Sequence, residues 1–185
     1  MAIPDRATVR RLLDDAGLPD GIVNHSEGVA RVAVAAAGLV AEAQIPVDGA
    51  LVEAAALLHD IDKVEIRRSG GEHGIVGARR LEAMGYPELA MPVASHPITA
   101  LLDDDRSPIG WPSVIVAVAD RHVAQEFMTV DERLDDMKQR HPEYAASIEA
   151  ARRPAHVLEE QVAEGIGVSV DELVHRLRAA WEAGS

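Results

Sequence analysis

The sequence contains no cysteine, so disulfide bonds, thiolate metal ligands and cysteine nucleophiles are all excluded. Aromatic residues make up only 3% of the chain, and alanine, valine and leucine must therefore fill most of the core. Such small and aliphatic side chains favour closely packed helices over an aromatic-rich sheet. The hydrophobic content of 48% indicates a packed globular protein rather than a disordered one.

Positive charge is also scarce. The 18 Lys and Arg residues face 31 Asp and Glu residues, which gives a formal net charge of −13. The sequence lacks the long basic stripe that is typical of proteins binding duplex nucleic acid, and its acidic balance disfavours adhesion to anionic membranes. A small phosphorylated substrate stays compatible with this charge, because a bound metal ion inverts the local electrostatic field.

The sequence shows no uninterrupted apolar run of membrane-spanning length, and its first residues lack the apolar segment of a signal peptide. We therefore expect a soluble cytoplasmic protein. The length of 185 residues suits one domain, spanning residues 1–185. A homo-oligomer is left open, because the amphipathic C-terminal helix ending in Trp181 can pack on its own core or on a partner copy.

Helical spacing of apolar residues recurs along the chain, and neither internal repeats nor βαβ alternation is evident. The pattern predicts an all-α fold. We predict a loop at residues 67–72 (RRSGGE), because two glycines interrupt the pattern there. The predicted helices run from near Pro4 to before Gly17, from about Asn24 to Glu42, over Val47–Ile61, His73–Met84, Pro87–His96, Trp111–Phe127 and Val130–His141, beyond Pro142, and from Ser169 onward.

Polar residues stand at unexpected places in these apolar patterns. His59 and Asp60 lie side by side where a strongly apolar segment, residues 56–63 (ALLHDIDK), ends. His25 and Asp120 lie on helix faces whose other members are apolar. Taken singly, each has an ordinary explanation: a core histidine bonded to a carbonyl, or a carboxylate that caps a helix or pairs with a base.

Taken together, these polar residues suggest a shared role rather than separate ones. Burying four imidazoles and two carboxylates without compensation is costly, and a divalent cation would compensate all of them at once. Neutral imidazole and carboxylate suit Fe, Mn, Ni, Co or Zn, with Mg an option at an oxygen-rich position. We therefore expect one or two divalent ions. The six candidate ligands are His25, His59, Asp60, His73, His96 and Asp120.

The order of His25, His59-Asp60 and Asp120 resembles the HD-domain metal-dependent phosphohydrolase superfamily. "LLHDIDK" is similar to that family's signature, usually written HDIGK or HDIAK, with Asp62 where the family often has a small residue. The resemblance covers most of the chain and implies a compact HD-domain-like helical bundle. It places an HD core at about residues 22–140 and a C-terminal helical extension at about residues 141–185.

The resemblance also implies a ligand scheme and an activity. His25, His59, Asp60 and Asp120 would bind one ion, and His73 and His96 would join Asp60, as a bridge, around a second. The implied enzyme is a phosphomonoesterase or phosphodiesterase that uses metal-activated water on a small phosphorylated substrate, a nucleotide or related ester. Asp60 and Lys63 are the expected catalytic residues. The expected substrate-binding residues are Lys63, Thr99 and Arg121.

Several alternatives stay open. Lys63 equally suits a cation at a helix C-terminus, and a surface salt bridge is an alternative role for Arg121. Asp62 would add negative charge beside the expected phosphate site. The whole protein could instead be a dinucleoside polyphosphate hydrolase, a non-catalytic HD module that binds metal or nucleotide, or a helical structural protein with packed histidines and no metal. Structural or solvated roles are expected for His122, His141, His156 and His175.

Overall fold

The computed structural model describes residues 3–184, most of them in helices. The α-helices are α1 Arg6–Ala16, α2 Asp20–Glu42, α3 Gly49–Leu58, α4 Lys63–Ser69, α5 Ile75–Ala83, α6 Ala90–Ser95, α7 Gly110–His122, α8 Val130–Arg140, α9 Ala145–Ala150, α10 Arg152–Gly165 and α11 Val170–Ala183. Short 3-10 helices cover Pro87–Leu89, Ile98–Leu102 and Pro142–Tyr144. Within the described residues, extended pairing is limited to one bridge between Val123 and Phe127, so the all-α prediction is confirmed.

Three helices, α2, α3 and α7, form the centre of the structure and pack against one another. Val29, Val32 and Ala36 of α2 are buried in this core, as their helical spacing predicts. On α3 and α7 the buried residues are again mainly alanine, valine, leucine and isoleucine. Because these side chains are small or aliphatic, the helices pack closely without the aromatic residues that the sequence lacks.

The C-terminal part of the chain contributes to the same core. Helix α10 packs on α7, and α11 packs on α2, where Leu173 and Leu177 are buried. The guanidinium of Arg31 lies 5.5 Å from the ring centroid of Trp181 in a cation–π arrangement. Of the two placements that the sequence left open, the C-terminal helix therefore packs on its own core. Between residues 3 and 184, no helix combines the length and the apolar character needed to cross a membrane.

Gly28 lies where Trp181 of α11 packs against α2. A Cβ atom at Gly28 would lie 2.5 Å from Cζ3 of Trp181, whereas one at Gly38 on the same helix would meet nothing within 4 Å. We expect Gly28→Ala to lower the free energy of unfolding by about 1–3 kcal/mol through overpacking. Gly38→Ala is expected to raise it by roughly 0.5–1 kcal/mol, because alanine loses less backbone entropy on folding. Urea denaturation measures both, and equal stabilisation by the two variants would contradict this packing of α11.

Several predicted boundaries differ from the structure. The predicted helix Trp111–Phe127 ends earlier, at His122, and Val123 and Phe127 form an extended bridge instead. Helix α2 begins at Asp20 rather than about Asn24, because Pro19 precedes it in an extended conformation and the Asp20 carboxylate favours a helix N-terminus. The predicted loop at residues 67–72 is wrong in its first half, since Arg67 and Arg68 belong to the last turn of α4. Basic side chains are favourable there, and the helix ends at Ser69, followed by Gly70 with a φ of 73°.

Candidate metal centre

The packing of the three central helices brings the predicted ligands to one place. His25 comes from α2 and Asp120 from the last turn of α7, while His59 and Asp60 occupy a tight turn between α3 and α4. The prediction of a helix continuing to Ile61 is therefore wrong at its end, because α3 stops at Leu58. The turn directs two adjacent side chains into the same cluster, whereas neighbours on a helix diverge by about 100°.

The first cluster contains His25, His59 and Asp120. Nε2 of His25 lies 3.1 Å from Oδ1 of Asp120 and 3.3 Å from Nε2 of His59. Nε2 of His59 lies 3.9 Å from the same oxygen of Asp120. These three residues can each offer one ligand atom to a common ion.

The second cluster is centred on Oδ1 of Asp60. Nε2 of His73 lies 3.2 Å from this oxygen, and Nε2 of His59 and of His96 each lie 3.6 Å from it. The Nε2 atoms of His73 and His96 are 3.0 Å apart. Asp60 thus connects the two clusters through His59, and all six predicted ligands are brought together.

Hydrogen bonds on the outer side of the rings fix which nitrogen faces the cluster. Nδ1 of His59 and Nδ1 of His96 each donate to the backbone carbonyl three residues earlier, at 2.7 Å. Nδ1 of His73 donates to Oδ1 of Asp62, also at 2.7 Å. A carbonyl or an ionised carboxylate only accepts, so each Nδ1 carries a proton, and in the neutral ring the Nε2 lone pair points inward.

This arrangement fits a divalent cation. In the neutral rings, the Nε2 lone pairs of His73 and His96 face each other at 3.0 Å, a repulsive arrangement that a positive ion between them converts into ligation. Imidazole nitrogens with their other N–H held by an acceptor are the usual form of metal-binding histidine. The donor set of imidazole nitrogen and carboxylate oxygen suits several transition metals equally.

The local electrostatics keep four of the six ligands in the protonation states that a metal requires. Burial lowers the pKa of His59 and lowers that of His96 to about 3, so both rings are neutral near pH 7. Burial would raise the pKa of Asp60, but the neighbouring histidines and Lys63 outweigh it and hold that pKa well below its usual value. Arg121 and the adjacent histidines likewise outweigh burial at Asp120, whose pKa is also well below its usual value. His73 differs: burial would lower its pKa, but hydrogen bonds to the Asp60 and Asp62 carboxylates outweigh burial and raise that pKa.

The family model of the HD domain matches residues 22–125, which is more than half of the chain. The chain belongs to the HD-domain family. Membership places it in a superfamily of metal-dependent phosphohydrolases whose members bind divalent metals. Neither curated proteins nor solved structures gave a match.

Asp62, which was expected to add negative charge beside the phosphate site, instead supports a histidine in this HD domain. The carboxylate is fully buried rather than presented to a phosphate site. Oδ1 accepts from Nδ1 of His73, and Oδ2 accepts from the backbone N–H groups of Gly74 at 2.8 Å and Gly77 at 2.9 Å. Asp62 therefore holds His73 against the start of α5. His73 precedes that helix rather than opening it, because Gly74, with a φ of 83°, lies between them.

We expect Asp62→Asn to lower metal affinity at the second cluster about 10- to 100-fold, the usual cost of losing such an outer hydrogen bond. The amide keeps the volume of the carboxylate but accepts through only one oxygen, so His73 loses its fixed orientation. Titration of metal-free protein with Mn²⁺ or Zn²⁺ measures the effect. Asp104→Asn, on an exposed loop, is the matched control, and equal affinities in the two variants would contradict the positioning role of Asp62.

The predicted substrate-binding residues lie in three different environments. Nζ of Lys63 is 3.5 Å from Oδ1 of Asp60, and its side chain is 32% exposed, at the edge of the site. Thr99 is exposed in the 3-10 helix that follows His96. Arg121 is buried, so its reading as a surface salt bridge is wrong. Its guanidinium donates to Oδ2 of Asp120 and to the backbone carbonyl of His96, and it thereby ties the two clusters together.

One cation close to the site was missed by sequence reasoning. Nη2 of Arg133, on α8, lies 4.0 Å from Oδ1 of Asp120. The sequence around Arg133 is polar, a pattern typical of a solvent-facing helix. The available signal was its place between Val130 and Leu134, which are both buried and define the inner face of α8.

Proposed function

We propose that this HD domain hydrolyses a small phosphorylated compound, with a nucleotide as the expected substrate class, at a pair of divalent ions held by the six clustered residues. The observation that carries the proposal is the position of Oδ1 of Asp60, within 3.6 Å of the Nε2 atoms of His59, His73 and His96. A carboxylate in that position suits a bridge that fixes the separation of two ions.

The residues of the chain have separate tasks in this proposal. Bound ions would supply a water of lowered pKa as the nucleophile near neutral pH. Asp60 and Asp120, both ionised, would bind the metal ions, whose positive charge attracts the substrate phosphate. Lys63 is placed at the exposed edge, where its ammonium can neutralise a phosphate oxygen. Arg121, fixed between Asp120 and the His96 backbone, keeps the two clusters in register.

A substrate panel tests the proposal. Protein purified without an affinity metal is stripped, loaded separately with Mn²⁺, Fe²⁺, Co²⁺, Ni²⁺, Zn²⁺ or Mg²⁺, and assayed for product release from each substrate. The panel contains nucleoside monophosphates, cyclic and linear phosphodiesters, and dinucleoside polyphosphates. Release of product that depends on the ion supports the proposal, and the reactive substrate distinguishes monoester, diester and polyphosphate cleavage.

The same experiment separates the non-catalytic alternatives. A module that binds metal and nucleotide without turnover would take up an ion and retain the nucleotide unchanged. A structural protein with packed histidines would take up no ion in any loading condition. Either result would contradict the proposed hydrolysis.

A further inference from the structure

Arg133 is unusually enclosed for an arginine on a polar helix. Its side chain is 14% exposed, and its guanidinium is directed toward Asp120. Nη1 lies 3.3 Å from Oδ2 of Asp136, one turn along the same helix. Nη2 is 4.0 Å from Oδ1 of Asp120, which is beyond a good hydrogen bond and leaves the donor largely unused.

Two guanidinium groups approach one carboxylate at this place. Arg121, with a side chain 3% exposed, donates to Oδ2 of Asp120, while Arg133 faces Oδ1 of the same carboxylate. The Nε atoms of both arginines are buried and have no hydrogen-bond partner among residues 3–184. Buried guanidinium donors without acceptors are costly, and an anion close to them removes that cost.

Metal binding would add positive charge beside these two arginines. Once Oδ1 of Asp120 is directed to an ion, it compensates Arg133 less. Lys63 stands in the matching position at the other cluster, with Nζ 3.5 Å from Oδ1 of Asp60. Lys63 and Arg133 are both partly exposed, whereas Asp60 and Asp120 behind them are buried. The exposed edge of the site therefore carries a cation beside each of the two carboxylates.

We propose that Arg133 binds the phosphate of the substrate, as the counterpart of Lys63, and that the two cations select a terminal phosphate group over a phosphodiester. This inference rests on the proposed hydrolase function. A terminal phosphate carries about −1.5 to −2 charges at pH 7, against one for a diester. Two cations beside the metal site match the larger charge, and a guanidinium donates two parallel hydrogen bonds to phosphate oxygens.

Phosphate binding can be measured without turnover. Metal-loaded protein is titrated calorimetrically with inorganic phosphate and, separately, with dimethyl phosphate, a diester monoanion. We expect Arg133→Gln to weaken inorganic phosphate binding about 10- to 100-fold, the loss of one or more charged hydrogen bonds. Arg133→Lys is expected to recover part of that affinity. The preference of the unchanged protein for inorganic phosphate over dimethyl phosphate should shrink in Arg133→Gln.

Arg140→Gln is the matched control. Arg140 lies on the same helix and also pairs with Asp136, through Nε at 2.9 Å, but its side chain is 54% exposed. We expect the phosphate affinity of Arg140→Gln to stay within about twofold of that of the unchanged protein, because exposed ion pairs contribute little. Metal content, measured by elemental mass spectrometry, should be the same in all variants.

Three results would overturn the inference. The first is metal-loaded protein that binds no inorganic phosphate. The second is unchanged phosphate affinity in Arg133→Gln. The third is a loss of phosphate binding that accompanies an equal loss of metal, which would make Arg133 only a structural partner of Asp120. Failure of the proposed hydrolysis would give a different result: the protein would bind phosphate in a manner that depends on Arg133 but release product from no substrate.

Discussion

Replacing Asp60 with asparagine is expected to reduce bound metal sharply and to lower hydrolysis on the order of 1000-fold or more. Oδ1 of Asp60 is approached by three imidazole nitrogens, so one substitution weakens both clusters. An amide keeps the shape of the side chain but cannot supply the negative charge that two ions require. Losing several kcal/mol of transition-state charge stabilisation corresponds to a rate loss of this size.

Elemental mass spectrometry and the product-release assay measure the two effects on the same preparations. His122 is unsuitable as a comparison, because its side chain is fully buried, stacks on Phe127 and lies 3.0 Å from Oε1 of Glu159. His175→Ala is better, since His175 is exposed on α11. We expect that control to retain metal and activity. Full metal content and activity in Asp60→Asn would contradict the bridging role.

Removal of the metal from unchanged protein is expected to abolish hydrolysis and to lower the melting temperature. An ion that binds only the folded state stabilises it by about 2.7 kcal/mol when its free concentration is 100 times the dissociation constant. Its removal also restores the unfavourable approach of Nε2 lone pairs, at 3.0 Å between His73 and His96. Differential scanning calorimetry before and after chelation, and after re-addition of each ion, measures the effect.

Asp60→Asn provides the control for this second experiment. Its melting temperature should respond much less to chelation and re-addition, because its clusters bind ions weakly. The far-ultraviolet circular dichroism of stripped protein should stay helical, since the aliphatic core around α2, α3 and α7 requires no ion. A melting temperature that is the same with and without metal would contradict the expected coupling between metal binding and folding.

The sequence predicted much of the helical architecture because apolar spacing records which face of a helix is buried. Val29, Val32 and Ala36 lie in the core where their spacing places them. Helix boundaries were predicted less accurately where one residue type favours two different local structures. Proline is typical both of turns and of the position just before a helix, and Pro19 directly precedes α2. Arg67 lies in the predicted loop, although basic residues also favour a helix C-terminus.

The sequence alone established the classes of ligand atom and excluded thiolates, since most of the six candidate histidines and aspartates stand in apolar patterns and cysteine is absent. It also named the family, because the His-Asp signature is local in the chain. The three-dimensional packing was needed to show that Asp62 supports His73 from a buried position, that Arg121 is buried, and that Arg133 reaches the site. These features depend on contacts between segments that are distant in sequence, because the burial and pairing of a charged side chain are set by its neighbours in space.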